Sequence, residues 1–176
     1  MDRLRLEGVS VANAMVFKLV RLRALREDPT AFGSTYAEES RLTDAEWFEL
    51  AVRRTSKGSM AWLAFADDAP CGIVGVFLES ATHARLVSMW VAKDARGQGI
   101  GNALVDAAIA WARESHAQTI VLTVTSNNDT ATRFYEGLGF ARTGRTEPYP
   151  NDPALFEHEM KLPLTPSRAL PDTPRS

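Results

Sequence analysis

One cysteine, Cys71, is all the thiol chemistry this chain holds, so no disulfide can form within it. It sits in an apolar, strand-like run, where a buried structural thiol is expected rather than a reactive one. Positive charge is not in surplus either. Twenty Lys and Arg stand against 22 Asp and Glu, a net charge of −2, which lacks the electrostatic footprint of general nucleic-acid binding. No apolar run approaches the ~20 residues needed to cross a bilayer. The first residues, Met1 to Glu7, mix charge with leucine instead of building the apolar core of a signal peptide. No internal repeat is present. These absences lead us to expect a cytoplasmic protein with no membrane and no nucleic-acid partner. The 176 residues, 45% of them hydrophobic, suffice for one domain with a proper core.

What is present is an ordered change of periodicity along the chain. Residues 4–9 read as a short strand. Over residues 11–27, Met15, Val16, Leu19, Val20, Leu22 and Leu25 recur at helical spacing. Asp28-Pro29 stops that helix, because a residue before proline is pushed out of the helical region. Residues 30–41 read as a connector of small and aromatic residues. Thr43 and Glu46 form a capping box that opens a second helix ending near Lys57-Gly58. Strands follow over 60–66 and 71–78, separated by turn residues. Residues 85–92 form a central strand, residues 99–115 a helix, and residues 119–125 another strand. The cluster from Asn127 to Thr130 caps a short helix over 131–138, which Gly139 closes. Two last strands, over 141–145 and 156–162, flank a loop at 147–153. The strand-helix-strand unit from 85 to 125 requires parallel strands and a right-handed crossover. One domain over residues 1–162 is expected, followed by a flexible tail over 163–176 that holds four of the nine prolines.

The chemistry concentrates after the central strand, at Arg96-Gly97-Gln98-Gly99-Ile100-Gly101. A strand, a glycine-rich turn and a helix start make an anion cradle. The first helical turn offers backbone N–H groups without partners, the helix dipole adds partial positive charge, and glycine lets the backbone approach a ligand. The glycine spacing does not suit a Rossmann fingerprint, and the Gly-Lys-Ser/Thr of a Walker loop is missing.

A second block, Val124, Asn128, Ala131, Tyr135 and Gly139-Phe140, follows after an intervening helix and strand. In this order and spacing the two blocks resemble those of the GCN5-related N-acetyltransferase (GNAT) superfamily. The resemblance is good over residues 60–162, while the first 58 residues fit only as the family's two variable N-terminal helices. It implies a mixed α/β (α+β) fold. A mostly antiparallel sheet of six to seven strands would be flanked by about four helices, with a V-shaped splay between the two central parallel strands. It implies acetyl-CoA as co-substrate, transferred to a primary amine of a small molecule, peptide or protein. Met89, Trp90 and Val91 would lie along the pantetheine arm, with backbone groups of Met89 and Val91 pairing to it. The amides of Gly97, Gln98, Gly99, Ile100, Gly101 and Asn102 would hold the pyrophosphate, and Arg96 would lie along the loop or near the phosphates. Asn128 has two open roles, a cofactor contact or a helix cap, while Asn127 is the stronger candidate for pure structure. Tyr135 stands where the family keeps the general acid for the departing CoA thiolate, and the Val91 N–H is a natural oxyanion donor.

The general base is not marked. Where some members carry glutamate at the start of the central strand this chain has Arg85, and where others carry one in the next strand it has Thr123. Glu79, Glu157, His158, Glu159 or a water chain remain, and alternation lets only one of the sets Glu157/Glu159 and His158 face a cleft. Phe32, Tyr36 and Tyr149 are candidate walls of the acceptor pocket. Trp90 points opposite to Met89 and Val91, to the core or to the acceptor side. The arginines at 21, 23, 26, 53 and 54 argue against a purely acidic cleft. No metal site is expected, and a monomer or a homodimer fits equally well. A non-catalytic CoA-binding module, or transfer of a longer acyl group, stands as the alternative.

Overall fold

In the computed structural model, which describes residues 4–164, the chain builds one seven-stranded sheet with helices on both faces. The elements in chain order are β1 (Leu4–Gly8), α1 (Ala14–Glu27), α2 (Tyr36–Glu39), α3 (Asp44–Arg54), β2 (Ser59–Ala66), β3 (Ala69–Leu78), β4 (His83–Val91), α4 (Ile100–Glu114), β5 (Thr119–Thr125), α5 (Asp129–Gly137), β6 (Ala141–Pro148) and β7 (Phe156–Pro163). The sheet order is β1-β2-β3-β4-β5-β7-β6. Every neighbouring pair is antiparallel except β4 and β5. This is the mixed, mostly antiparallel sheet implied by the resemblance, with the crossover helix α4 between its two parallel strands.

The layers follow from which strand residues meet which helix. A Cβ on Gly72 would lie 3.0 Å from Leu104 of α4, whereas one on Gly75 would look toward Val87 and Arg54 of α3. Residues three apart on a strand face opposite sides, so α4 covers one face and α1 with α3 the other. On α4, Leu104, Val105, Ala108 and Ala112 recur at helical spacing and are fully buried. On the other face Phe17 of α1 meets Trp47 of α3 edge-to-face at 5.6 Å. Cys71 is buried, its Sγ 3.5 Å from the Ala64 carbonyl, and burial pushes its thiol pKa up, which suits the structural reading.

β4 and β5 pair only at His83–Thr119, Ala84–Ile120 and Arg85–Val121. Beyond that point they diverge, and two local devices hold the arms apart. In β4 the register to β3 shifts between Val87, opposite Gly75, and Trp90, opposite Ile73. Ser88 in that bulge has φ +56°, a left-handed conformation that is strained for a residue with a Cβ. At the end of β5, the Thr125 hydroxyl donates to the carbonyl of Thr30 (3.0 Å), in the turn Pro29–Ala31 that follows α1.

The connector over residues 30–41 contains α2, opened by a capping box of Thr35 and Glu38 as legible as the observed box of Thr43 and Glu46. Four residues are too few to show a helical hydrophobic period. α1 starts at Ala14, not at residue 11, because Asn13 closes a turn on Ser10 N (2.8 Å) and Gly8 O (2.9 Å). β6 runs on to Pro148, since pairing with β7 outweighs its polar composition. β7 includes Pro163, and Leu164 is buried with its N–H on the Gln118 carbonyl (2.7 Å). The rest of the expected tail, residues 165–176, lies outside the described residues.

Candidate active site

After β4 a short turn, Lys93–Ala95, brings the chain to the glycines. Gly97 (φ +76°) and Gly99 (φ +80°) both adopt the left-handed conformation that a side chain disfavours. Gly99 is the N-cap of α4. The first helical bond runs from Ala103 N to Gly99 O (3.1 Å), so the amides of Ile100, Gly101 and Asn102 precede it and face outward at the positive end of a 15-residue helix. A Cβ on Gly101 would lie 3.2 Å from Phe134 and 3.4 Å from Met89. The helix start is therefore pressed against the wall of the splay.

Arg96 does not reach toward this amide cradle. Its Nε donates to the Val91 carbonyl (2.9 Å) and its Nη2 to Asp28 Oδ2 (2.7 Å), the same oxygen that accepts from Trp90 Nε1 (2.8 Å). Asp28, seen in the sequence only as a helix stop, thus ties the end of α1 to β4 and to the glycine turn. Arg23 adds a bond to Asp94 (3.1 Å) and stacks its guanidinium over the Trp90 ring. Trp90 is a buried core residue on the α1 face, opposite to Met89 and Val91.

Ala92 N donates to Cys71 O of β3. Neighbouring residues of an antiparallel strand present their N–H and C=O to alternate edges, so both backbone groups of Val91 face the splay. Arg96 already occupies the carbonyl, which leaves the Val91 N–H as that residue's free group. Across the splay, Asn128 caps α5 through Oδ1, which accepts from Ala131 N (3.1 Å). The cap is Asn128 and not the exposed Asn127, and Asn128 also borders the cavity. Of the residues expected around the cofactor, all but the exposed Gln98 line one groove of about 570 Å³. That volume lies within the usual ligand-pocket range.

Tyr135 stands at the inner end of that groove and also lines a smaller cavity between β4 and β5. It is 6% exposed and packs edge-to-face against Phe134 (5.1 Å) and Phe140 (5.6 Å). Burial pushes its phenol pKa up, so the proton stays on the oxygen. Among the described residues its hydroxyl has no hydrogen-bond partner.

Thr123 and Glu157 line the same inner cavity and also a polar groove of about 710 Å³ on the α1 face. In that groove Arg85 pairs with Glu79 and, at 3.8 Å, with Glu159, while Arg145 pairs with Glu147 (2.9 Å). His158 is on the opposite side of β7, its ring 4.8 Å from that of Phe156. The α1 arginines expected to temper the acceptor cleft are used elsewhere. Arg21, 4% exposed, holds Glu39 through two bonds (2.9 and 2.8 Å), Ser34 (3.0 Å) and the bulge residue Ser88 (3.0 Å).

The aromatic residues expected as acceptor walls form a clasp instead. The Tyr149 hydroxyl donates to the Phe32 carbonyl (2.7 Å), Phe32 is buried under Arg21, and Tyr36 is stacked by Arg26. None of the three lines a cavity described above, because the β6–β7 loop folds back onto the connector. Among the described residues, no group of His, Cys, Asp and Glu is placed to hold a metal ion, and no helix is long and apolar enough to cross a membrane.

A family model described as the Acetyltransferase (GNAT) family matches residues 21–140. The chain belongs to the GNAT family. The match begins inside α1, well before residue 60, the start of the span over which the sequence resemblance is good. The chain is 35% identical over 96 residues to the peptidyl-lysine N-acetyltransferase YjaB of Salmonella typhimurium, covering 51% of this chain and 59% of that one. It is 36% identical over 93 residues to the N-acetylaspartate synthetase of Danio rerio, covering 52% and 33%. These alignments span only a third to three fifths of the relatives' own lengths. In fold the GNAT chain resembles a GNAT-family acetyltransferase from Streptococcus pneumoniae (TM-score 0.74, 22% identity, 92% and 99% covered). It also resembles yncA from Salmonella typhimurium, solved with acetyl-CoA (TM-score 0.77, 16% identity, 97% and 99% covered).

Proposed function

We propose that this protein is an N-acetyltransferase that moves an acetyl group from acetyl-CoA to a primary amine by direct attack within a ternary complex. The observation that carries this reading is the continuity of three features along one groove: the amide cradle at Gly97–Asn102, the open edge of β4, and Tyr135 at the inner end. When bound, acetyl-CoA supplies an activated thioester carbonyl to a neutral amine. The chain's residues fit that ligand. The outward amides of Ile100, Gly101 and Asn102 suit a pyrophosphate, and the free edge of β4 pairs with an extended amide-bearing arm as a strand would. The Arg96 guanidinium holds the turn in shape rather than gripping phosphate. The Val91 N–H is positioned to stabilise negative charge on an oxygen in the splay. Tyr135, kept protonated by burial, holds the proton for a departing thiolate.

YjaB is named for acetylating peptidyl lysine and the Danio rerio relative for making N-acetylaspartate, so the relatives' amines differ and do not choose one here. A CoA-release assay against amino acids, polyamines, aminoglycosides and peptides tests the reading, alongside calorimetric binding of acetyl-CoA. Acetyl-CoA binding with transfer to at least one amine is expected. No binding heat at saturating acetyl-CoA would remove the reading, and binding without transfer to any amine would leave a CoA-binding module.

A further inference from the structure

The acetyl-transfer reading needs a group that removes the amine's proton, because an alkyl ammonium has a pKa near ~10.4 and is almost wholly charged at pH 7. We propose that Glu157 is this general base, and that the acceptor amine reaches it through the polar groove between β4 and the β6–β7 hairpin; the proposal rests on that reading.

Position separates Glu157 from the other carboxylates. It lines both the groove open to solvent and the inner cavity that Tyr135 borders, a property shared only with Thr123 among the residues lining those two spaces. Glu79 and Glu159 are committed to Arg85, and Glu147 to Arg145. Among the described residues Glu157 has no ion-pair partner. Its one side-chain bond is a long one from the Thr123 hydroxyl (3.4 Å). The charged and titratable groups lining the groove with it are Arg85 on β4, Glu79 just before β4, Glu147 and Arg145 on β6, Glu159 and Lys161 on its own strand, and His83 at the start of β4. Partial burial raises its carboxyl pKa, and the Glu147 charge adds to this. The Thr123 bond and Arg85 oppose it without prevailing. An unpaired carboxylate with raised basicity, at the junction of two cavities, accepts a proton more readily than one locked to arginine.

The protons balance. Glu157 takes one from the incoming ammonium and returns it to water through the groove. The neutral nitrogen then forms the C–N bond as the C–S bond breaks. Tyr135 gives its proton to the sulfur, and the proton shed by the newly acylated nitrogen restores the phenol.

The test compares wild type with Glu157→Gln on two probes at saturating acetyl-CoA. One is a lysine-bearing tripeptide, cationic at pH 7. The other is hydroxylamine, small and largely neutral there. A base is needed only for the first. The expected result is a loss of about 100-fold on the tripeptide and under about 3-fold on hydroxylamine, with an unchanged acetyl-CoA isotherm showing an intact fold. Independently, infrared difference titration of wild type against Glu157→Gln, without acetyl-CoA, should show a carboxyl that ionises above the ordinary glutamate range. Equal losses on both probes, or no loss, would overturn the assignment while leaving acetyl transfer in place. If the tripeptide is not an acceptor, the alkyl amine of the panel above that wild type acetylates best takes its place; a wild-type chain that binds acetyl-CoA yet acetylates no amine of that panel would remove the acetyl-transfer reading and the assignment with it.

Discussion

On the α4 side of the splay the groups proposed to face the ligand are backbone amides from one continuous stretch, residues 97–102. On the α1 side they are side chains delivered by β4, β5, β6 and β7. The first set needs only a turn and a helix start, both local. The second set exists only because the strand order β4-β5-β7-β6 places residues about 70 positions apart side by side, such as Arg85 and Glu159. A locally built cradle needs nothing from distant segments beyond the strand that precedes it. The acceptor side has no such local rule, which is why no motif announced Glu157.

Breaking each side should therefore give different failures. The largest effect is expected on the cradle. In Gly101→Val the new side chain starts 3.2 Å from Phe134 and crowds the outward amides. Acetyl-CoA affinity should fall about 100-fold, worth ~2.7 kcal/mol, read by calorimetry with circular dichroism as the fold control. Next comes Tyr135→Phe, which should lower kcat by on the order of 10²-fold while the acetyl-CoA dissociation constant moves less than about 3-fold. An equal change in both would reduce Tyr135 to packing.

The α1 side is reached through Arg21. Burial alone would raise the Glu39 carboxyl pKa, but the Arg21 bonds and charge outweigh it and hold the group below the usual range. A lowered folded-state pKa means stability that is present above the unfolded value, ~4.3, and lost as pH falls through the folded one. Denaturant melts should show wild type weakening below about pH 4. Glu39→Gln should be weaker at neutral pH by about 3 kcal/mol, as expected when one partner of a buried pair is removed, and flatter through the acid range. The smallest effect belongs to Arg96. Its guanidinium is held by Val91 and Asp28, so Arg96→Gln should change acetyl-CoA affinity less than about 5-fold and leave its salt dependence nearly unaltered. A steep loss of salt dependence would return Arg96 to the phosphates.

Arg96 and Asn128 show where sequence reading stops. The sequence names each as a candidate at the site but leaves its side chain's task open, and for Arg96 the long-range partner Asp28 decides where the guanidinium goes. Phe32, Tyr36 and Tyr149 are candidate pocket walls in the sequence because they lie in the variable connector and the 147–153 loop, whereas in the structure Tyr149 ties its loop to Phe32 and Tyr36 packs under Arg26 of α1. The box of Thr35 and Glu38 was readable but sat in a segment too short to show a period.

The sequence by itself determined the strand-turn-helix cradle, the order of the elements, the cap of α3, the acid candidate Tyr135 and the resemblance to the GNAT family. The cradle, the elements and the cap depend on residues within a few positions of one another, where spacing alone dictates geometry, and the resemblance and Tyr135 rest on two such local blocks in their order along the chain. The tertiary structure alone decided that Arg96 turns back to Val91 and Asp28, that the α1 arginines are spent on Glu39, Glu27, Asp94 and Tyr36, and that of the unmarked carboxylates only Glu157 is, among the described residues, left unpaired at the junction of the two cavities. Those outcomes depend on which charges meet across the sheet, and strand pairing between distant segments sets that.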